Sequence, residues 1–314
     1  MSGKTIVVFG ATGNQGSGVV KALLETTDFL VQAVSSNPNA DKAQRLKATY
    51  AAQADAGRLK LVQADWNDAA TLSAAVQDAH GVFAAMAIDP NEVKQGHSLV
   101  DVCAAAGIAH FVYSSLPSLA ANSGGKYNKA FVFDNKAEIE AYAKERLKSV
   151  TVLLPGGFFS SLSTPLYTRR KEDGTPYFVD APTKHRVIPW LDDQVDVGRF
   201  AAAIFAAGPE KTAGKSYPIA GPPMSADEMA KAYTRYAGES ATVQRLEYAD
   251  ALSVLPDFLR PCFEDIYRYL EDCDQTKVAY GTMAPEDDHG YKDLAVRAST
   301  FEDYVRRTGF RVPR

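Results

Sequence analysis

Residues Ile6-Val7-Val8-Phe9-Gly10-Ala11-Thr12-Gly13-Asn14-Gln15-Gly16 constrain the fold more than any other part of the chain. An apolar run stops at glycines spaced every third residue. A helix-compatible segment carrying Val19, Val20, Leu23 and Leu24 follows at once. That order predicts a strand, a tight turn and a helix N-terminus. Gly10 permits the sharp exit from the strand, Gly13 lets the backbone approach a phosphate, and Gly16 lets the helix pack close to the sheet. Free N–H groups and the helix dipole then attract the anion. A glycine triplet alone is a weak signal, because turns use glycine for many reasons. Here the strand Lys4–Phe9 before it and the apolar face after it supply the context of a dinucleotide pyrophosphate site. The alternative is a purely structural turn.

The rest of the first half repeats the strand–helix alternation. Strands are expected at Lys4–Phe9, Phe29–Val34, Arg58–Gln63, Gly81–Met86, His110–Tyr113 and Ser149–Leu154. Helices are expected near Asn14–Thr26, Ala40–Ala52, Ala69–Gln77, Glu92–Ala106 and Asn135–Arg146. Alternation on this scale means an α/β fold with a doubly wound parallel sheet covered on both faces. Right-handed crossovers gather the carboxyl ends of the strands on one edge, where ligands collect. The pattern changes after Leu154: residues 155–185 are rich in Gly, Pro, Ser and Thr, with aromatics interleaved. A helix at Val197–Ala207, a strand at Ser216–Ile219, an Ser225-capped helix over Ala226–Ala237 and helices at Phe258–Asp272 and Phe301–Arg307 follow. The division expected is a dinucleotide-binding unit over 1–154. Residues 155–314 would form mainly a smaller mixed C-terminal lobe, with some elements able to return to the sheet.

Composition narrows the function classes. With 46% apolar and 23% charged residues the chain has the make-up of an ordinary globular protein. A net charge of -4 without long basic runs argues against direct nucleic-acid binding. No apolar stretch approaches the roughly 20 residues that span a bilayer, so no membrane partner is expected. The first strand starts almost at Met1, which leaves no room for a leader peptide. Cys103, Cys262 and Cys273 form neither a disulfide framework nor a metal-ligand pattern. A reducing compartment is expected, the cytoplasm, with the nucleus as the alternative. His80, His97, His110, His185 and His289 show no ligand spacing, and no metal site is expected.

The end of the second strand often carries a carboxylate that binds the adenosine ribose and repels a 2′-phosphate. Ser35, Ser36 and Asn37 stand there instead, so nothing excludes NADP(H), and NADP(H) is expected over NAD(H), which stays possible. Lys42 and Arg45 are the nearest cations, a turn or two into the next helix. Asp65 and Trp66, after the third strand, could meet the adenine; Asp65 could equally be a helix cap.

Several motifs in order resemble one family. Gly10–Gly16, Val93-Lys94-Gln95-Gly96, Tyr113-Ser114-Ser115-Leu116-Pro117, Phe133-Asp134-Asn135-Lys136 and Pro189-Trp190-Leu191-Asp192-Asp193-Gln194-Val195-Asp196-Val197-Gly198 look like the NmrA-like family, fungal-type atypical short-chain dehydrogenase/reductases. The resemblance implies a Rossmann fold with a small C-terminal lobe and an NADP(H) or NAD(H) site. It places Gly10, Thr12, Gly13, Asn14, Gln15 and Gly16 at the pyrophosphate, Ser36 and Asn37 at the adenosine ribose, and Asp65 and Trp66 at the adenine. Met86 and Ala87 would line the fourth strand's edge, Lys94 and Lys136 would reach the ribose or phosphates, and Pro155, Gly157 and Phe158 would cover the nicotinamide. Members with strong NADP(H) preference often have arginine where Ser36 stands.

The wider superfamily reduces carbonyls with a tyrosine four residues before a lysine on one helix face. The lysine orients the nicotinamide ribose and lowers the phenol's pKa. Lys136 is present here, but Val132 holds the other position, where family members often have histidine, and valine transfers no proton. Replacement candidates are Tyr127, in the loop Ser123-Gly124-Gly125-Lys126, together with Tyr113 and Ser115. The alternatives are packing on its loop for Tyr127, capping a turn for Ser115 and packing in its strand for Tyr113. Phe158, Phe159, Tyr167 and Trp190 could wall a substrate site or only fasten the lobe. The first expectation is an NAD(P)H-dependent reductase of a small aromatic or unsaturated carbonyl, quinone or imine. The second is a catalytically silent redox sensor that binds a protein partner such as a transcription factor. The third is a lyase or isomerase that keeps the fold.

Overall fold

Strands and helices alternate through the first half much as the periodicity predicts. A computed structural model describes residues 3–181 and 188–314, so His185 lies outside the described residues. In order come β1 (Thr5–Phe9), α1 (Asn14–Thr26), β2 (Leu30–Ser35), α2 (Asp41–Thr49), α3 (Ala51–Asp55), β3 (Leu59–Gln63), α4 (Ala69–Val76), β4 (Gly81–Ala84), α5 (Glu92–Ala105), β5 (His110–Ser114), α6 (Leu119–Asn122), α7 (Phe131–Arg146) and β6 (Val150–Pro155). The second half adds β7 (Gly157–Phe158), β8 (Thr168–Arg170), β9 (Pro176–Asp180), β10 (Ile188–Leu191), α8 (Asp196–Ala207), α9 (Pro209–Thr212), β11 (Ser216–Ile219), β12 (Pro223–Met224), α10 (Ala226–Ala237), β13 (Thr242–Arg245), α11 (Tyr248–Leu252), α12 (Arg260–Asp272), α13 (Gly290–Leu294) and α14 (Phe301–Thr308).

Seven parallel strands form the main sheet in the order β11-β6-β5-β4-β1-β2-β3. Both faces are buried, and the period-two alternation of β1 shows why. Ile6 and Val8 join a core with α1 and α8, while Val7 and Phe9 join a second core with α4 and α5. The strand order reverses beside β1, which pairs with β2 on one side and β4 on the other. That reversal opens a crevice above the carboxyl ends of the strands.

Two elements of the second half sit within this layer. β11 pairs with β6 as the seventh strand, and α8 packs against α1. Glycines make the helix pair close. A Cβ on Gly198 would lie 2.2 Å from the Gly18 carbonyl oxygen, and one on Gly18 would lie 2.3 Å from that of Gln194. The remaining lobe has two three-stranded sheets, β12-β10-β7 and β13-β9-β8. Phe178, Tyr233, Phe301 and Phe310 fill its core, between α10 and α14. Helix α10 starts at the capping box of Ser225 and Glu228, as its sequence predicts.

Helix α7 begins four residues before the expected Asn135. Phe131-Val132-Phe133 reads as a poor helix former, yet Asp134 anchors this turn by accepting hydrogen bonds from Ser118 Oγ (2.8 Å) and the Ala120 N–H (3.2 Å). The expected helix over Ala40–Ala52 breaks into α2 and α3 at Tyr50, whose ring packs on the core beside β1. Among the described residues no helix is long and apolar enough to cross a membrane. Nor is any group of three or more His, Cys, Asp or Glu side chains among them placed to hold a metal ion.

Candidate active site

The crevice is built first from backbone. β1 ends at Gly10, whose φ of +74° suits glycine, and the Gly13 N–H donates to the Gly10 carbonyl at 2.9 Å to close the turn. A Cβ on Gly10 would meet the Ala85 carbonyl oxygen at 2.7 Å, and one on Gly16 would lie 2.2 Å from that of Gly10. The turn therefore has no room for side chains on its inner side. Gly13 is the N-cap of α1 and supplies no side-chain cap, which leaves the first-turn N–H groups to other acceptors. Thr12 is half-buried, and Gly13 and Asn14 are exposed at the mouth.

Side chains then tie the turn down. Asn14 Nδ2 donates to Asp193 Oδ2 (2.9 Å) and to Ser160 Oγ (3.3 Å), and Ser160 Oγ donates to the same Asp193 oxygen (2.8 Å). Gln15 accepts a 2.7 Å hydrogen bond from Ser114 Oγ at the end of β5. Asp193 is fully buried, and burial raises its carboxyl above the usual range against the pull of these hydrogen bonds. Its buried neighbours are also partnered. Asp192 takes a bidentate pair from Arg307, and Asp196 accepts from Ser299. Asn14 and Gln15 thus fasten the turn to the small lobe and to the sheet.

At the far end of the crevice, Ser35 Oγ accepts from the Asn37 N–H (3.2 Å) and Asn37 Oδ1 from the Asn39 N–H (3.0 Å). These small turns close β2 and leave Ser36 and Asn37 exposed. Lys42 is exposed on α2; Arg45 is three residues further along and 4.0 Å from Asp41. Asp65 uses its carboxylate on the Asn67 N–H (2.9 Å), so it closes its own turn, and the Trp66 ring lies 5.2 Å from Phe9. Met86 is buried after β4, and Ala87 and Ile88 are exposed at the cavity edge.

The opposite end holds a cavity of about 330 Å³. Gln15, Ser114 and Ser115 form its floor at the strand ends, Met86, Ala87 and Ile88 one side, and Val132, Phe133 and Lys136 of α7 another. Pro155, Gly156, Gly157 and Phe158 follow β6. Trp190, Tyr167, Phe263, Tyr267 and Tyr280 complete the largely aromatic wall. Phe158, Tyr167 and Trp190 therefore face the cavity, whereas Phe159 is buried in the lobe core, where it stacks on Trp190. The partition beside Pro155 is strained: Ala279 and Tyr280 both have positive φ (+50° and +60°), a conformation costing non-glycine residues about 1–3 kcal/mol each. Tyr280 Oη donates to the Pro155 carbonyl (2.9 Å) and Tyr269 Oη to the Tyr280 carbonyl (3.0 Å), which hold it there.

Lys136 does not stand alone. Its Nζ donates to Glu92 Oε1 at 2.5 Å, with Lys136 11% and Glu92 0% exposed. The other Glu92 oxygen is buried and makes no hydrogen bond of ordinary geometry with any described residue, although the Asn135 side chain lies near. Burial raises the Glu92 carboxyl above its usual range, while Lys136 and then Asn135 pull it down. Gly96 makes the pairing possible, since a Cβ there would lie 2.5 Å from Ile139 of α7. The close approach of α5 and α7 lets Glu92 reach across. Ser115 is fully buried and donates to the Lys136 carbonyl at 3.3 Å, which joins the end of β5 to α7.

Two expected site residues lie elsewhere. Lys94 follows Glu92 by two positions, about 200° around the helix, so an inward Glu92 turns Lys94 outward. It is exposed beside Pro90, His97 and Glu138 and does not line the aromatic cavity. Tyr127 donates to Asp272 of α12, stacks edge-on against Tyr269 at 5.9 Å and also lies outside the cavity. Gly124 and Gly125, both at positive φ, fold its loop against α12, an arrangement that matches the packing alternative for Tyr127. Tyr113 packs in its strand, with a fully buried hydroxyl that burial holds well above the usual tyrosine range. Sequence reasoning missed Glu92, Asp193, Tyr267 and Tyr280. The only local signal was the spacing of Glu92, Gln95 and Gly96, which share one helix face.

The fold and crevice define a doubly wound α/β protein with a glycine-rich turn at the switch point and an aromatic cavity beside it. The chain belongs to the NmrA-like family, whose model matches residues 2–305. It is 37% identical over 158 residues to the NmrA-like family domain-containing oxidoreductase hkm9 of Aspergillus hancockii, covering 48% of this chain and 44% of that protein. It is 30% identical over 274 residues to oxidoreductase cpsB of Aspergillus campestris, covering 78% and 75%. The matches thus span about half the length of some curated relatives and three quarters of another. Among solved structures, NmrA, a negative transcriptional regulator in complex with NAD, superposes with a TM-score of 0.79 at 22% identity, over 98% of this chain and 96% of that one. The NADPH-dependent quinone oxidoreductase QOR2 of Escherichia coli, complexed with NADPH, gives 0.70 at 24% identity, over 97% and 100%.

Proposed function

We propose that the chain is an NAD(P)H-dependent reductase of an aromatic or unsaturated carbonyl, quinone or imine. The observation that carries this reading is the juxtaposition, at the cavity, of Lys136 on its buried Glu92 partner and Ser115, beyond a turn that excludes side chains. The turn fits a pyrophosphate: it has uncapped N–H groups and the glycines a close backbone approach demands. Gly10 to Gly16, with Thr12, would hold the pyrophosphate, Ser35, Ser36 and Asn37 the adenosine ribose, and Asp65 and Trp66 the adenine. Met86, Ala87, Pro155, Gly157 and Phe158 would flank the nicotinamide, and Lys136 its ribose. The complexes of structural relatives with NAD or NADPH are consistent with such a ligand. No acid stands at Ser35–Asn37, which favours NADP(H) over NAD(H).

The bound dinucleotide supplies a hydride. Glu92 fixes the Lys136 ammonium against α5 so that it meets a ribose hydroxyl from one direction. The aromatic wall excludes water and presents a flat acceptor to the ring. A quinone-like acceptor takes its proton from solvent, so Val132 is compatible with turnover. NADPH consumption with quinones and enones tests the reading. Measurable turnover is expected; zero rate across the panel alongside tight dinucleotide binding overturns it. A second reading, a dinucleotide-sensing regulator that binds a protein partner, draws on Val132 and on the NmrA likeness.

A further inference from the structure

A second and larger cavity, about 590 Å³, lies beside the candidate active site and shares Gly156, Ile188, Leu270 and Tyr280 with it as walls. Its base is apolar, formed by Leu154, Pro218 and Ala279, and its rim is exposed at Ala220, Thr276 and Lys277. It sits past the ends of β6 and β11, on the side of the cavity away from the glycine turn. Nothing in the proposed chemistry uses it. The smaller cavity must hold both the nicotinamide and the group to be reduced within about 330 Å³. A substrate larger than its reacting ring has to extend, and the side chains of Ile188, Leu270 and Tyr280 stand between the two spaces.

We propose that this second cavity is a substrate chamber, and that the substrate is an extended molecule with a flat reducible head beside Lys136 and an apolar body in the chamber beyond Tyr280. The proposal rests on the reductase reading for the head alone. A hydrocarbon body suits the chamber because its base offers apolar contact, while the exposed rim admits a polar far end. Tyr280 sets the angle between head and body: its hydroxyl is fixed on Pro155 and its ring lies edge-on to Phe133 at 5.0 Å.

Calorimetry on the full chain with NADP+ present tests this, with menadione as the head alone and geranyl-substituted menadione as head plus body. The geranyl compound is expected to bind at least about tenfold more tightly. Ala220→Trp places an indole at the chamber's exposed rim and is expected to remove most of that gain, with menadione and NADP+ affinities unchanged. Failure of the geranyl compound to bind more tightly, or a gain that survives Ala220→Trp, overturns the chamber. Binding is read without turnover. A geranyl gain that Ala220→Trp abolishes, with no NADPH consumption, would keep the chamber and sink the reductase. Turnover of both quinones with no geranyl gain would do the reverse.

Discussion

The glycine turn and the aromatic cavity of the crevice are made of different material. At the glycine turn the surface is backbone: carbonyls and N–H groups of a few consecutive residues, packed so tightly that a Cβ on Gly10 or Gly16 would lie 2.7 or 2.2 Å from a carbonyl oxygen. At the cavity it is side chain, from strand ends, α5, α7, the β6 exit, the lobe strand β10 and α12. A backbone site allows almost no substitution but asks little of the rest of the molecule. A side-chain site can change its chemistry one residue at a time, and only the whole fold places it. The two regions should therefore fail in different ways.

The largest effect is expected at the turn. Gly16→Ala forces the loop to move, and dinucleotide affinity measured by calorimetry should fall at least about a hundredfold, with about 1–3 kcal/mol of stability lost to overpacking. Near-normal binding would end the idea of a backbone cradle. Next comes the buried pair. Lys136→Met leaves Glu92 buried without its partner, which should cost about 3–5 kcal/mol at neutral pH and most of the turnover. The sign with pH follows from Glu92, whose carboxyl is already raised by burial and loses its only opposing cation. A group raised in the folded state stabilises the fold below its unfolded value and loses that contribution as pH climbs through the raised one. The deficit of Lys136→Met in denaturant unfolding should therefore shrink as pH falls from neutral toward the ordinary carboxylate range. A deficit constant with pH would mean that Glu92 carries no charge in the native pair.

Smaller effects separate coenzyme choice from catalysis. Ser36→Arg adds a cation at the exposed end of β2 and should raise the NADPH-to-NADH affinity ratio by about tenfold, leaving kcat with a saturating coenzyme alone. An unchanged ratio would move the 2′-phosphate away from that corner. The least effect is expected from Tyr127→Phe, which removes one hydrogen bond to Asp272 and should cost about 1 kcal/mol of stability with no change in turnover. Loss of turnover there would restore Tyr127 as an acid and overturn its assignment to packing.

The same contrast explains what could be read from the residues. The sheet, the turn and the helix caps are written in contiguous segments, so β1 to β6, α1 and the Ser225 box fell close to where periodicity put them. The family, too, was legible from motifs in order. The start of α7 was not, because its first turn is held by Ser118 and the Ala120 N–H from a preceding loop. Glu92 was passed over because the helix face it shares with Gln95 and Gly96 does not by itself tell a buried acid from a solvated one at a helix start. Only the close approach at Gly96 turns it into Lys136's partner. Lys94 and Tyr127 show the converse: a suitable functional group says nothing about the direction in which its backbone points it.

The contact of Gly18 with Gly198 has a consequence for handling the protein. Because α8 lies backbone-to-backbone on α1, and β11 completes the sheet beside β6, the first 154 residues cannot be excised as a free-standing nucleotide module. Such a fragment would expose the apolar face that α8 covers, including Val19, Val20 and Leu23, and would leave β6 as an open edge ready to pair with another copy. Expressed alone it should aggregate, and the missing piece would have to be supplied as the far half of the same chain.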